Sequence, residues 1–440
     1  MGNLSYKAPG VYVEQVASGT FPIVGVGTST AGFVGLMPDK FSTKDSQGNT
    51  VTIKPAAEPG EAVLCTNFTE FKKRFLTLET PPPGASELDV AADFIGDMEG
   101  QELPSSWQSY PRYLAHAVYG FFNNGGTRCY VGRVALERVK PARPPKPPES
   151  APTPPEEGET GGPELPSLKK VLEAFVTLDE IAIVAAPGIV DKARQEELIA
   201  HCAQSGLQDR VAVLDSPRDT APQEMEKVVP ARSEYAAYYY PWIRVFDPVA
   251  GGSLEVPPSG HVAGMYARVD TLRGVHKAPA NEVLLGALDV SRRLSRSHQE
   301  GLNPVGINCI RDINGNIRVW GARTLGGDAN GEFKYINVRR LFNFLRESID
   351  QGTQWAVFEP NDSQLWARIT RNVSAFLTTV WSEGGLFGAT PQEAFFVKCD
   401  AETNPPANRD NGLVITEVGV ALTRPAEFVV FRLSQLSGPK

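Results

Sequence analysis

The sequence has no run near the roughly 20 consecutive apolar residues that a membrane-spanning helix needs; Ile181 to Ala186 reads only as a short core strand. Its N-terminus lacks the charged start and apolar centre of a signal peptide. Tyr6 stands where a myristoylation pattern requires Ser or Thr. The expectation is a chain made and folded in the cytosol, with no direct membrane insertion. A basic excess is also missing. The net charge of −8 and pI near 5.4 argue against a nucleic-acid partner. Cysteine is scarce: Cys65, Cys129, Cys202, Cys309 and Cys399 are odd in number, widely spaced and never in a Cys-x-x-Cys pair. They read as reduced, buried thiols with neither a disulfide framework nor a zinc site.

Catalytic and cofactor signatures are equally absent. His116, His201, His261, His276 and His298 have no partner at i+3 or i+4, so no metal spacing arises. Gly25-Val26-Gly27 opens a dinucleotide-like pattern, but Thr30 occupies the third glycine position, and no Walker A sequence occurs. The sequence therefore predicts no catalytic, cofactor-binding or metal-binding residues. At 440 residues, with 41% apolar and 21% charged, it is long enough for two or three soluble cores.

What the chain does have is strand-like ends. Residues 6–16 and 425–433 are rich in Val, Tyr and Phe and are set off by Pro or Gly. Terminal segments fray unless something ties them down, and an apolar strand needs a sheet edge. Two such ends suggest strands that pair with other subunits. Between them, Ile23 to Met37 reads as a first core strand and Arg112 to Asn123 as a helix stopped by Asn124-Gly125-Gly126, followed by a strand from Cys129 to Val134. Ten prolines between Pro141 and Pro166 mark a solvated surface loop. Helix and strand patterns then alternate. Lys169–Val176 and Asp191–Gln204 read as helices, and Ile181–Ala186, Val211–Leu214 and Tyr238–Phe246 as strands. That rhythm implies an α/β layer around a mostly parallel sheet.

A further helix is expected around Glu282 to Leu294, with Arg292, Arg293 and Arg296 as a basic run on it. Past Pro304, Val305–Arg311 and Ile317–Trp320 flank Asn314-Gly315, a hairpin signal. Val338–Ile349 and Asp362–Glu383 read as helices, the second carrying Leu365, Trp366, Ile369, Val373, Phe376, Leu377, Val380 and Trp381 on one face. Leu413 to Leu422 reads as a strand before Pro425. Tyr238-Tyr239-Tyr240 could form a stacking platform, but without flanking cations a packed strand is the preferred reading. Gly27-Thr28-Ser29-Thr30-Ala31 is close to the sequence around a subtilase nucleophile. Ser29, however, precedes every His and nearly every Asp, so a triad in the subtilisin order Asp, His, Ser would require circular permutation.

Many blocks, in order, resemble the contractile tail sheath protein family of phage tails and extracellular injection systems. They include Ala8-Pro-Gly-Val-Tyr-Val-Glu14, Ala31-Gly-Phe-Val-Gly35, Phe121-Phe-Asn-Asn-Gly-Gly126 and Val256 to Gly264. Val319-Trp-Gly-Ala-Arg-Thr-Leu325, Tyr335 to Arg340, Gly388 to Phe395 and Pro425-Ala-Glu-Phe-Val-Val-Phe431 continue the series. The resemblance implies an α/β fold: a subtilisin-like domain without a catalytic triad, plus an α+β C-terminal assembly domain with extended N- and C-terminal arms. Expected boundaries are 1–20 for the donated N-terminal arm, 21–303 for the sheath domain with its Pro-rich loop at 138–167, and 304–440 for the assembly domain with a donated strand at 426–434.

The implied function is a structural subunit that stacks as hexameric rings around an inner tube and contracts. Its implied partners are itself, the inner tube protein, and baseplate and cap proteins, with no cofactor. Donated strands would use Val11, Tyr12, Val13, Glu14, Phe428, Val429, Val430 and Phe431. Thr390-Pro391-Gln392-Glu393 has a capping-box shape, and Pro391, Gln392 and Glu393 are the candidate tube contact, with an ordinary structural turn as the equal alternative. The alternatives are an inactive or permuted serine-hydrolase-like protein, or a static baseplate or shell subunit.

Overall fold

The computed structural model of the chain describes residues 22–81, 90–100, 103–136 and 164–430. Val11 to Glu14, Phe431 and most of the Pro-rich loop lie outside these residues. The chain opens with β1 (Ala31–Met37), the small hairpin β2 (Phe41–Lys44) and β3 (Thr50–Ile53), and β4 (Ala62–Cys65). Helices α1 (Phe68–Phe75) and α2 (Tyr110–Asn123) lead to β5 (Cys129–Ala135). Then α3 (Lys169–Val176), β6 (Ile183–Ala185), α4 (Lys192–Ala203), β7 (Val211–Asp215), the single turn α5 (Met225–Val228) and β8 (Ala236–Tyr240) follow.

A nine-stranded sheet runs β11-β14-β13-β8-β7-β6-β1-β5-β4, with β11 (Glu282–Val283), β13 (Ile307–Ile313) and β14 (Asn316–Val319) supplied from later in the chain. Six neighbouring strands from β13 to β5 are parallel, while β11, β14 and β4 are antiparallel to their neighbours. All seven residues of β1 are buried, as expected of a parallel strand covered on both faces. Helices α2 and α6 (Ser259–Arg273) cover one face and α3 and α4 the other. The first two approach closely at Gly260 and Gly264. A Cβ on either would stand 2.3 Å from the carbonyl oxygen of Ala117 or Phe121 on α2.

Three expected elements are corrected. Tyr238–Phe246 is two strands, because at Pro241 the chain leaves the large sheet, and β9 (Ile243–Asp247) enters a separate sheet with β10 (Gly252–Val256) and β12 (Ala287–Val290). Glu282–Leu294 is not helical. Gly286 takes φ +83°, and Asn124 both accepts from Leu285 N (2.8 Å) and donates to Leu285 O (2.9 Å), which holds the segment extended. Arg292 and Arg293 thus precede the short helix α7 (Arg296–Leu302) that begins at Arg296, rather than sharing one helix with it. The first strand starts only at Ala31. Residues 23–30 instead run along α8 (Ile336–Thr353), where Ser348 Oγ accepts from Val26 N (3.1 Å).

A second core gathers α8, α9 (Ser363–Ser382) and a two-stranded sheet of β15 (Phe395–Lys398) and β16 (Glu417–Val420), with the single turns α10 (Pro391–Ala394) and α11 (Pro406–Asp410) between them. Asp362 caps α9 by accepting from Gln364 N and Leu365 N, both at 2.9 Å. The expected apolar face of α9 is buried except Trp381, which is half-buried. The hairpin just past residue 304 belongs to the large sheet, and the second core draws on residues from Leu341 onward together with Val275 and Ile23. The strand expected over Leu413–Leu422 shortens to β16. Before it, Asn404 accepts from Ile415 N (2.6 Å) and donates to Ile415 O (3.0 Å), which takes up the backbone groups a ladder would have used.

Candidate assembly interface

The β15–β16 sheet has only two strands among the described residues. Its register pairs Phe395 with Val420 and Lys398 with Glu417, and no further described strand joins either outer edge. One face packs Phe395, Val397, Val418 and Val420 on the second core. On the other, the Phe396 ring lies over Gly419, where a Cβ would come within 2.1 Å of it, and Phe396 remains 57% exposed. Packing of one face against α9 supports these two strands without a third. Unpaired N–H and C=O groups on both sides make it a template for added strands.

The C-terminal segment that follows β16 is held at Glu427 and exposed beyond it. Glu427 Oε1 accepts from Arg323 Nε (2.8 Å) and Asn303 Nδ2 (2.7 Å), and its Oε2 accepts from Arg323 Nη2 (2.9 Å) and Tyr335 Oη (2.7 Å). Burial raises the Glu427 pKa, but these donors outweigh it and hold the carboxyl below its ordinary range. Burial, together with the bond to Glu427, pushes the Tyr335 hydroxyl up to about 12. Immediately past this clasp, Phe428, Val429 and Val430 are 72%, 70% and 78% exposed. Among the described residues nothing covers this apolar run, and such an exposed run marks an interaction surface.

The N-terminal segment emerges from the same half of the molecule. Ile23 packs on the second core near Gly352, and Gly25 abuts Phe344. Thr28 is fixed by a buried ion pair. Arg340 donates to Asp270 Oδ1 (2.9 Å) and Oδ2 (2.5 Å) and to the carbonyl of Thr28 (2.9 Å), while Thr28 Oγ1 donates to Asp270 Oδ2 (2.7 Å). The guanidinium also lies 4.7 Å from the centroid of the Tyr266 ring.

The remaining predicted residues scatter. Pro391, Gln392 and Glu393 form the turn α10, the first half-buried and the other two exposed. The capping box does not close there: Thr390 makes no side-chain cap bond, and Glu393 Oε2 accepts from Ala389 N (2.8 Å) instead. Tyr238, Tyr239 and Tyr240 are fully buried in an interior strand, which rules out a stacking platform. All five cysteines are free and buried.

Among the described residues no hydrogen bond joins Ser29 to a histidine, and no cluster of three or more His, Cys, Asp or Glu could hold a metal. A buried carboxyl that sequence reasoning missed is Asp215, which accepts from Ser259 N (2.9 Å), Ser259 Oγ (2.7 Å) and Gly188 N (3.1 Å). Burial pushes its pKa up to about 6. With its bonds committed to the start of α6 and no histidine bonded to Ser259, it ties the fold together rather than activating a nucleophile. No described helix is long and apolar enough to cross a membrane.

Comparison with known proteins gives a consistent picture. The family model for the phage tail sheath protein central domain matches residues 161–325, and that for the phage tail sheath C-terminal domain matches residues 328–435. Together they cover well over half of the chain. The tail sheath protein of Vibrio phage KVP40 is 28% identical over 178 residues, 40% of this chain and 26% of that protein. That of Burkholderia phage BcepMu is 28% identical over 200 residues, 44% of this chain and 41% of that protein. The matched stretches thus span less than half of these relatives.

Among solved structures, a chain of the PVC sheath complex of an extracellular contractile injection system, in its contracted state, matches with a TM-score of 0.70 at 26% identity. That match covers 98% of this chain and 99% of that one. The anti-feeding prophage helical sheath in its contracted state gives 0.65 at 27%, covering 98% and 100%. A chain of the six-fold symmetrised anti-feeding prophage baseplate gives 0.64 at 27%, covering 98% and 99%.

Proposed function

Since the chain belongs to the phage tail sheath protein family, we propose that it is a structural subunit of a contractile injection system, polymerising as stacked hexameric rings around an inner tube. The observation that carries this reading is the combination of an open sheet, β15–β16, with an exposed apolar segment, residues 428–430, that the described residues leave uncovered. Strand addition satisfies both, because main-chain hydrogen bonds hold the added strand and side-chain pockets select it. Donor and acceptor surfaces differ, so the contact is heterologous and propagates. Residues 1–20, with Val11, Tyr12, Val13 and Glu14, form one donated arm. Residues 426–434, with Phe428, Val429, Val430 and Phe431, form the other. Six-fold rings and contact with a baseplate are supported by the six-fold baseplate assembly in which a chain of this fold occurs.

Contraction follows from an extended packing relaxing to a compact one and drives the tube through a target envelope. The α/β layer is a subtilisin-like fold without a triad. The Pro391–Glu393 turn contacts the tube, cap proteins close the end, and assembly takes place in the cytoplasm. The test is electron microscopy of the full-length protein beside a variant lacking residues 1–16. Striated tubes that disappear in the variant are expected. Tubes of equal number and length from the variant would refute strand donation by the N-terminal arm.

A further inference from the structure

We propose that Glu427 is the positioning residue of the C-terminal arm: its clasp by Arg323, Asn303 and Tyr335 fixes the direction in which residues 428–431 are delivered to a neighbouring subunit. The inference rests on the strand-donation reading above and adds to it a defined fulcrum. Three separate segments converge on one carboxylate. Asn303 follows α7, Arg323 follows β14 and Tyr335 precedes α8. Arg323 is almost wholly buried, its side chain 3% exposed, and is itself held by the carbonyl of Asn303 (2.9 Å) and by Asp328 (3.2 Å). Its guanidinium is therefore oriented before Glu427 arrives, and it grips both carboxylate oxygens in a forked geometry that fixes direction as well as distance.

From Arg424 to Val430 no helix or strand supports the chain. The clasp is the point where the segment is tied to its own subunit, and the next three residues are exposed. A strand that must reach a neighbour's sheet in one register gains from a fixed origin. Without it the arm samples many directions and loses more entropy on binding. Because the clasp residues lie within the subunit, the tie is independent of any neighbour and can persist while subunits move relative to one another.

The test compares full-length protein, Glu427→Gln, Glu427→Ala and a truncation after Arg424, using two readouts. In the free subunit, chymotrypsin cleavage after Phe428, which needs the adjoining Glu427 drawn out of its bonds into the protease cleft, reports opening of the clasp, since cleavage tracks the open population when closing is fast. Loss of charge-assisted bonds is expected to raise that rate roughly tenfold in Glu427→Gln, with a melting temperature lowered far less than in Asp270→Asn because Asp328 still pairs Arg323. Electron microscopy then reports assembly, and both substitutions are expected to give at least tenfold fewer tubes than the parent.

Equal cleavage rates in the parent and Glu427→Gln would overturn the clasp. Faster cleavage with tubes of normal number and length would overturn its positioning role while leaving strand donation standing. Tubes formed by the truncated chain would instead overturn C-terminal strand donation itself, so the two failures are distinguishable.

Discussion

Replacing Asp270 with Asn should be far more damaging than its conservative shape suggests. The Arg340 and Asp270 side chains are 3% and 5% exposed, and Asp270 accepts two bonds from Arg340 and one from Thr28. Burial alone would lower the Arg340 pKa, but Asp270, with Tyr266 and Tyr239, outweighs it and holds the guanidinium above its ordinary value. Arg340 therefore stays charged, and the Asp270→Asn substitution would leave that charge buried without a counterion. Breaking one side of a buried pair costs about 3–5 kcal/mol, a large share of the roughly 5–15 kcal/mol that stabilises an ordinary domain.

Urea unfolding followed by tryptophan fluorescence reports on both cores that the pair joins, because Trp355, Trp366 and Trp381 lie in the second and Trp107 and Trp242 in the first. Thr28→Val removes a single hydrogen bond from the same cluster and should cost about 1 kcal/mol. Adding Arg340→Met to Asp270→Asn removes the orphaned charge and should restore a substantial part of the loss. A cost for Asp270→Asn no greater than that of Thr28→Val would refute the assignment of a buried, charge-dependent weld.

Gly264→Ala should lower stability by at least about 1–3 kcal/mol in the same assay, since its Cβ would press to 2.3 Å on a backbone oxygen of α2 that cannot give way. Acid sensitivity has a defined sign. His261, pushed down to about 3 mainly by burial and then by His116, contributes stability that is full above its unfolded value near 6.5 and declines as pH falls toward 3. His261→Gln should therefore flatten the fall in unfolding free energy, extrapolated from urea titrations, between about pH 6 and pH 4 by about 1.4 kcal/mol per pH unit, against an opposite contribution from Asp215. Thiol titration with Ellman's reagent should find no rapidly reacting group in the native protein and five after denaturation, because all five cysteines are buried and burial pushes Cys202 and Cys309 up to about 12.

The elements legible in the sequence are those with a one-sided apolar pattern. Lys169–Val176 and the helix after Asp362 each bury one stripe, and their limits follow from it. Helix α6 escaped the same reading because ten of its fifteen residues are buried, so no polar face interrupts the pattern. Glu282–Leu294 misled in the opposite way. It holds good helix formers, yet Asn124, more than 150 residues away in sequence, fixes its backbone as extended. The strand expected from Ile23 failed because a side chain of α8 takes up the backbone N–H of Val26. The Glu427 clasp was invisible for a similar reason. Its donors come from three segments that only the folded chain brings together, and no spacing in the sequence marks them. The Pro-Ala-Glu-Phe run around it reads in the sequence as the start of a strand-like end, which says nothing of the donors to its carboxylate.

Helix α8 gives the two arms a common frame. Tyr335, at its start, donates to Glu427, and Gly352, near its end, supports Ile23 where the described chain begins. At 1.5 Å per residue these two roots are about 25 Å apart along one helix. The helix also joins the two cores, with Ile336 in the first and Leu341 and Leu345 in the second. Its middle is fastened to α6 and to the N-terminal run through Arg340 and Asp270. If strand donation holds, load arriving through one arm reaches the other along a packed helix rather than through a loop. Under that reading, a rigid strut with both roots fixed would keep the spacing between the donated strands constant as neighbouring subunits move. The Asp270→Asn and Glu427→Gln variants then act on one mechanical element. The first loosens its middle and weakens the subunit, whereas the second frees one end and leaves the subunit intact.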